Sequence, residues 1–160
     1  MNTGWPTHPS RRQALVWLAL AGAAERAHAA AKTLPASRSL QTELARALGT
    51  GQPLVVMVSL HGCPWCKLVR EHYLAPMHAE DGLPVVQVDM GSKEVTHNVA
   101  GERITHDALI RGWRISVAPT VLFLGRDGRE VVERLEGGSP DFYSGYLDDR
   151  LERARRALTR

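Results

Sequence analysis

Residues Pro53 to Leu60, PLVVMVSL, constrain this chain more than any other segment. The run is apolar without alternation and rich in β-branched side chains, the pattern of a strand buried on both faces. A short turn, His61-Gly62, follows, and then Cys63-Pro64-Trp65-Cys66. From Pro64 to about Ala75 the residues Leu68, Val69, His72 and Tyr73 recur at helical spacing. Cys63 therefore falls at the N-cap of a helix, with Pro64 at the first helical position, where a missing N–H costs nothing. Pro76 is expected to end or bend that helix.

The chain has 160 residues, 44% hydrophobic and 23% charged, the profile of one globular domain rather than of a disordered or collagen-like polymer. A domain of this size buries a core without structural disulfides or metals, so Cys63 and Cys66 exist for another reason. A bridge across so short a loop removes little entropy from the unfolded chain. The C-x-x-C spacing instead lets one sulfur attack a substrate and the other displace it. The free N–H groups and partial positive charge at the helix N-terminus favour a Cys63 thiolate. Cys66, one turn deeper, is expected to be more buried and harder to deprotonate. That asymmetry makes Cys63 the nucleophile and Cys66 the resolving thiol.

The first thirty residues read as an address. Arg11 and Arg12 precede an uncharged, mostly apolar run of eleven residues, Ala14 to Ala24, and Ala27-His28-Ala29-Ala30 comes after it. A basic segment, a short apolar segment and an A-x-A site describe a secretory signal peptide, cleaved after Ala29. The apolar run is too short to span a bilayer, which takes about 20 residues. Ser10 to Leu15, SRRQAL, resembles a twin-arginine export signal, although Ala14 stands where such signals carry Phe. The alternative is an ordinary secretory signal whose arginines happen to be paired. No cysteine precedes Cys63, which excludes a lipid-anchored lipoprotein. The expected organisation is a signal peptide over 1–29, a linker over 30–38 and one domain over 39–158, located in the periplasm. Formal charge is +3, but removing Arg11, Arg12, Arg26 and Glu25 leaves 17 Lys+Arg against 16 Asp+Glu from Ala30 onward. The excess positive charge is not a folded basic face, so no nucleic-acid partner is expected.

Three neighbours of the cysteines are further candidates. His61 is placed to stabilise a Cys63 thiolate as imidazolium or to relay a proton, unless it is merely an exposed turn residue. Lys67 adds positive field next to Cys66, or is simply solvated. Trp65, between the cysteines, is expected to be exposed and to contact substrates. A metal site is not expected, because structural zinc takes four ligands and His61, Cys63 and Cys66 supply three crowded ones. Covalent haem attachment asks for C-x-x-C-H, and Lys67 stands in the last position. The polar stretch Gly91 to Arg103 reads as a solvent-exposed loop, or as an insertion that shapes partner choice.

Strand Leu54–Leu60, the Cys63–Cys66 pair and helix Pro64–Ala75 together resemble the opening β-α unit of the thioredoxin-fold family, and the resemblance extends over roughly Leu40 to Leu158. Leu83 to Met90 is similar to the family's next strand, with its habitual aspartate at Asp89. Ile104 to Arg114 reads as a helix leading into Ile115-Ser-Val-Ala-Pro119-Thr120, which resembles the family's cis-proline loop. The resemblance implies a cis Ala118–Pro119 bond, Pro119 against the cysteines, and an Ala118 backbone that pairs with bound peptide. Thr120–Leu124 and Glu130–Leu135 flank an Asp127-Gly128 hairpin signal. Amphipathic helices are expected at Ser39–Gly49 and from Ser139 onward, the latter packing Phe142, Tyr146, Leu147, Leu151, Ala154 and Leu158 on the sheet. The implied fold class is α/β, a three-layer arrangement with a central mixed sheet between helices.

His61-Gly-Cys63-Pro-Trp-Cys66-Lys67 and Glu71-His-Tyr-Leu-Ala-Pro76 are similar to periplasmic thioredoxin-like proteins of sulfur oxidation and cytochrome maturation. Cytosolic thioredoxins carry Gly-Pro between the cysteines and a buried Asp six positions before the first; here Pro64-Trp65 and Met57 occupy those places. The resemblance implies a thiol–disulfide oxidoreductase acting on protein disulfides, as a reductant recharged by a membrane-bound thiol donor, without organic cofactor. A disulfide oxidant and a non-enzymatic binding module, such as a metallochaperone, are the alternatives. Nothing in the sequence supplies a dimerisation domain, so a monomer is expected and isomerase activity is not.

Overall fold

The computed structural model describes residues 32–138 and 142–159. The signal-peptide residues 1–29 and the Ser139-Pro140-Asp141 helix start lie outside them. Strand β1 (Leu54–Ser59) is buried along its whole length. It lies inside a four-stranded sheet of order β2-β1-β5-β6, parallel to β2 (Val85–Asp89) and antiparallel to β5 (Thr120–Leu124), with β6 (Leu135–Glu136) at the edge. The absence of alternation in PLVVMVSL follows from this position. Leu54, Val56 and Val58 point into one core, against Leu40, Leu44 and Ala47 of α1 (Leu40–Gly49) and Leu109 and Ile110 of α4 (His106–Gly112). Val55 and Met57 point into the other, with Cys66, Val69, Leu74 and the α5 residues Tyr143, Leu147, Leu151 and Ala154. Helix α5 spans Tyr143–Leu158. The result is the expected three-layer α/β arrangement.

The helix after the cysteines does not stop near Ala75. It runs as α2 (Pro64–Val69), a π turn (Arg70–Leu74) and α3 (Ala75–Asp81), ending at Gly82 in the left-handed region at φ 68°. Pro76 lacks an N–H, and its ring would press on the carbonyl four residues back. The wider π turn takes up that conflict: the Ala75 N–H bonds the Arg70 carbonyl, five residues back. Pro76 thus interrupts the hydrogen-bond pattern and leaves the helix continuous.

Other expectations need correction. Gly91–Arg103 is not a loop but mostly a hairpin of β3 (Val95–His97) and β4 (Arg103–Thr105), which displaces the start of the following helix from Ile104 to His106. Thr105 caps that helix, accepting from the Ala108 N–H. Asp127 and Gly128 both take positive φ, 58° and 66°, as an Asp-Gly turn requires. The strand expected after it shrinks to Leu135–Glu136 and an isolated Leu124–Glu130 bridge. In the last helix Phe142 and Tyr146 are exposed, and Tyr143 takes the core position instead. The Ser39-capped α1 starts and ends as expected.

The hairpin is fastened by buried polar groups. His106, fully buried, accepts from the Asp89 N–H through Nδ1 at 3.3 Å and meets the Ser37 carbonyl through Nε2 at 3.0 Å. The Ser37 hydroxyl donates to Glu43 at 2.7 Å and lies 2.9 Å from the buried Thr96 hydroxyl of β3. One imidazole therefore ties the end of β2, beside the cysteine-bearing loop, to the segment before α1. Replacing His106 with Ala would leave the Asp89 N–H and Ser37 carbonyl unpaired and open a cavity. Denaturant titration is expected to show a loss of about 3 kcal/mol, and a midpoint unchanged from wild type would contradict that role.

Candidate active site

Cys63 takes extended backbone angles, φ −76° and ψ 115°, at the N-cap of α2, with Pro64 following. Its Sγ accepts the Cys66 N–H at 3.1 Å. Gly62, at φ 74°, supplies the left-handed turn that swings the chain from β1 into this cap. Both cysteines are free thiols, Cys63 half-buried and Cys66 only 1% exposed. The sulfur that ends the helix faces outward and receives its dipole, while the sulfur one turn on is sealed in the core. Burial pushes the Cys66 thiol up from 9.0 to about 11, and the hydrogen bond and charge of Cys63 add to the rise. The Ser59 hydroxyl and the Leu60 N–H face the same sulfur and pull the other way.

The Ala118–Pro119 bond is cis, and the Cys63 Sγ lies 3.9 Å from the Ala118 carbonyl oxygen as a donor. The loop is held by the Thr120 hydroxyl donating to the Val117 carbonyl at 2.8 Å and by the Gly137 N–H donating to the Pro119 carbonyl at 2.8 Å. Trp65, 47% exposed, stands on the same flank. Gly138 fills the crowded space between: a Cβ there would sit 2.9 Å from the Trp65 Cβ and 3.3 Å from the Pro119 Cγ. Cys63, Trp65, Ala118 and Pro119 thus share one surface, with Gly138 as an unanticipated member.

The opposite flank of Cys63 opens into a cleft of about 820 Å³ lined by Ser59, His61, Lys67, Arg70 and Asp89 among others. His61 and Lys67 are exposed on its wall, and no hydrogen bond joins either to a cysteine sulfur among the described residues. Their place is on the cleft and not in direct contact with the thiols. Arg70 donates to Gln87 Oε1 at 3.4 Å, and Gln87 Nε2 donates to Asp89 Oδ1 at 2.8 Å. Met57 is fully buried among apolar side chains beside Cys66, so no carboxylate lies at that position. Among the described residues no three His, Cys, Asp or Glu side chains converge as metal ligands.

Tyr143 is the other residue that sequence reasoning missed. It is buried, its ring meets that of Tyr73 at 5.2 Å with a tilt of 41°, and its hydroxyl has no hydrogen-bond partner among the described residues. Burial, then the fields of Tyr73 and Cys66, push its phenol well up. The exposed Phe142 sits before the helix at φ 64°, so the buried stripe begins at Tyr143 while Leu147, Leu151 and Ala154 keep their expected places.

Two outcomes follow from these buried acids. A neutral hydroxyl buried without a partner costs about 1–3 kcal/mol, so Tyr143→Phe is expected to raise the denaturation midpoint by about 1 kcal/mol of stability; a loss would mean the hydroxyl is satisfied. Cys66 titrates at about 11 when folded against 9.0 ordinarily, so the unfolded chain gives up this proton first. Its contribution is fully present below about pH 9 and is lost as pH rises toward 11. Thermal melts of the reduced protein should fall across that window, and less so for Cys66→Ala.

A model of the thioredoxin-like domain family matches residues 40–149. No curated protein matches the chain significantly. Among solved structures, a DsbH oxidoreductase superposes with TM-score 0.54 at 17% identity, covering 76% of this chain and 88% of that one. A poplar thioredoxin h gives 0.51 at 20% identity, covering 72% and 96%, and a Helicobacter pylori thioredoxin-fold protein gives 0.50 at 10%, covering 84% and 96%. At these identities the likeness is one of fold. The matched span runs from the first residue of α1 into α5 and includes the cysteine pair, the cis-proline loop and every strand of the sheet. The chain therefore belongs to the thioredoxin-like domain family.

Proposed function

We propose that this protein is a thiol–disulfide oxidoreductase that reduces protein disulfides through Cys63 and Cys66. The observation that carries the reading is the inequality of the two sulfurs: one capped by a helix N-terminus and open to solvent, the other buried with its thiol pushed up to about 11. The Cys63 thiolate attacks a substrate disulfide R–S–S–R′; the R′ thiolate leaves, and a Cys63–S–S–R mixed disulfide forms. The Cys66 thiolate then attacks the Cys63 sulfur, expelling the R thiolate and leaving a Cys63–Cys66 disulfide. The substrate gains two electrons and the protein loses two. A substrate strand lies along the Ala118 backbone beside Pro119, with Trp65 against its side chains. His61 and Lys67 act only through their field on the cleft side of Cys63.

The leader-like residues 1–29 support a periplasmic location, and export in turn requires a membrane-bound dithiol donor to reduce the spent disulfide. The same dithiol runs in the oxidising direction if its reduced form is the more strongly stabilised. The reduction potential of residues 30–160, titrated against a thiol buffer, separates the two directions. A value near about −270 mV supports a reductase and one near about −120 mV an oxidant. Failure to form a reversible disulfide at all would leave only a binding module. Cys66→Ala is expected to accumulate Cys63-linked mixed disulfides with substrate proteins, and Cys63→Ala to accumulate none.

A further inference from the structure

Resolution of the mixed disulfide requires Cys66 to lose its proton, and among the described residues no buried carboxylate stands ready for it: Met57 is apolar and fully buried beside the thiol. One polar side chain does reach that sulfur. Ser59, the last residue of β1, is 2% exposed and continues the strand face of Val55 and Met57, which pack in the same core as Cys66; its hydroxyl favours the Cys66 thiolate. The same residue forms part of the cleft wall with Asp89, its register partner on β2. The Met90 N–H bonds the Ser59 carbonyl at 2.8 Å, fixing its backbone against β2. Apart from Cys63 itself and the Leu60 backbone, Ser59 is the residue among those described that borders both the sealed sulfur and the cleft, and the one that brings a hydroxyl there.

Resting on the reading of Cys63 and Cys66 as a working dithiol, we propose that Ser59 is a catalytic residue of the resolving step, its hydroxyl passing the Cys66 proton to water in the cleft. The balance is simple. The Ser59 oxygen receives the proton from the Cys66 sulfur as its own proton goes to a cleft water. The excess proton then leaves along the wall on which the Asp89 carboxylate stands. The Cys66 thiolate keeps the Ser59 hydroxyl as a hydrogen-bond donor while it attacks. Other titratable groups around Cys66 serve this less well. Cys63 is engaged in the mixed disulfide, and Tyr143, with Tyr73 behind it, is a buried phenol without an outlet. His61, Lys67 and Arg70 lie on the cleft side, and none is joined by hydrogen bond to the Cys66 sulfur among the described residues.

The test uses the reduced protein and dithiobis(nitrobenzoate), which releases one coloured thiolate when Cys63 attacks and a second when Cys66 resolves. Stopped-flow traces across pH 6 to about 10 separate the two phases, because a thiol reacts only as its thiolate. Ser59→Ala is expected to leave the first phase unchanged, to slow the second about tenfold near neutral pH, as loss of a hydrogen bond to a charged group does, and to move its pH midpoint upward. Ser59→Thr should restore both. Should Ala at position 59 prevent folding, the near-isosteric pair Ser59→Thr and Ser59→Val carries the same comparison. A second phase whose rate and pH profile match wild type in the variant without a hydroxyl would overturn the assignment, as would equal slowing of both phases. Release of a single thiolate by the wild-type protein would instead defeat the dithiol reading itself.

Discussion

The site depends on strand β1 being covered on both faces. Every side chain from Leu54 to Ser59 is buried, so polar chemistry emerges only where the strand runs out, at its C-terminal end. Open α/β sheets generally place their ligands there. In this chain the exit is made by Gly62 at positive φ, and the next residue is Cys63, the proposed nucleophile. The depth of the two cysteines is then a matter of helix geometry. Cys63 precedes the first turn and looks outward, while Cys66 lies one turn on and faces the sheet with Val69. Chemical inequality between two identical side chains thus comes first from their unequal depth, with the Cys63 hydrogen bond and charge adding to the rise at Cys66.

The flanks of Cys63 differ in kind, and the difference is built into the connections. On one side the cis-proline loop brings the Ala118 carbonyl close to the sulfur, Gly138 packs between Pro119 and Trp65, and Trp65 itself is exposed. That side offers hydrogen-bonding main chain and apolar surface, which suits an extended peptide. On the other side the end of β2 and the following turn recede, leaving the cleft with Lys67, Arg70 and Asp89 on its wall. His106 holds this edge in place by pairing the Asp89 N–H and the Ser37 carbonyl. A buried imidazole without contact to the cysteines thus helps set the shape of the cleft side of the site.

Much of this was legible in the sequence wherever one local pattern decided the outcome. The PLVVMVSL strand, the Cys63 cap and the unequal burial of the cysteines all follow from periodicity and helix-end chemistry. The features that escaped depend on distant partners. The 91–103 hairpin forms because Thr96 finds Ser37 across the chain, and its strands are too short for alternation to register. The continuous helix through Pro76 depends on a π turn, for which no residue pattern is diagnostic. The last helix keeps Leu147, Leu151 and Ala154 in the core as expected, but Phe142 lies before its first turn in a left-handed conformation, and Tyr143 rather than Phe142 or Tyr146 begins the buried stripe. Ser59 was visible only as a polar residue closing an apolar run, and its meaning needed the position of Cys66.

The high Cys66 thiol looks at first like a defect in a resolving nucleophile, and magnitudes decide whether it is. Moving from 9.0 to about 11 lowers the thiolate fraction of the reduced protein at neutral pH about a hundredfold, an upper limit for the mixed disulfide, in which the Cys63 charge that adds to the rise is gone. Nucleophilicity of the thiolate rises with its basicity at a slope of about 0.4–0.5, which returns somewhat less than about tenfold. The net loss is about tenfold, of the size a single hydrogen bond to a charged group makes up. Against it stands the proximity of the two sulfurs, since well-oriented intramolecular reactions reach effective concentrations of about 10⁵ M or more. Proximity wins by several orders of magnitude, so burial does not disable resolution. In the proposed mechanism burial secures order: with Cys66 almost wholly protonated, an incoming disulfide would meet only the Cys63 sulfur, and the second thiol would act after the first had been joined to substrate.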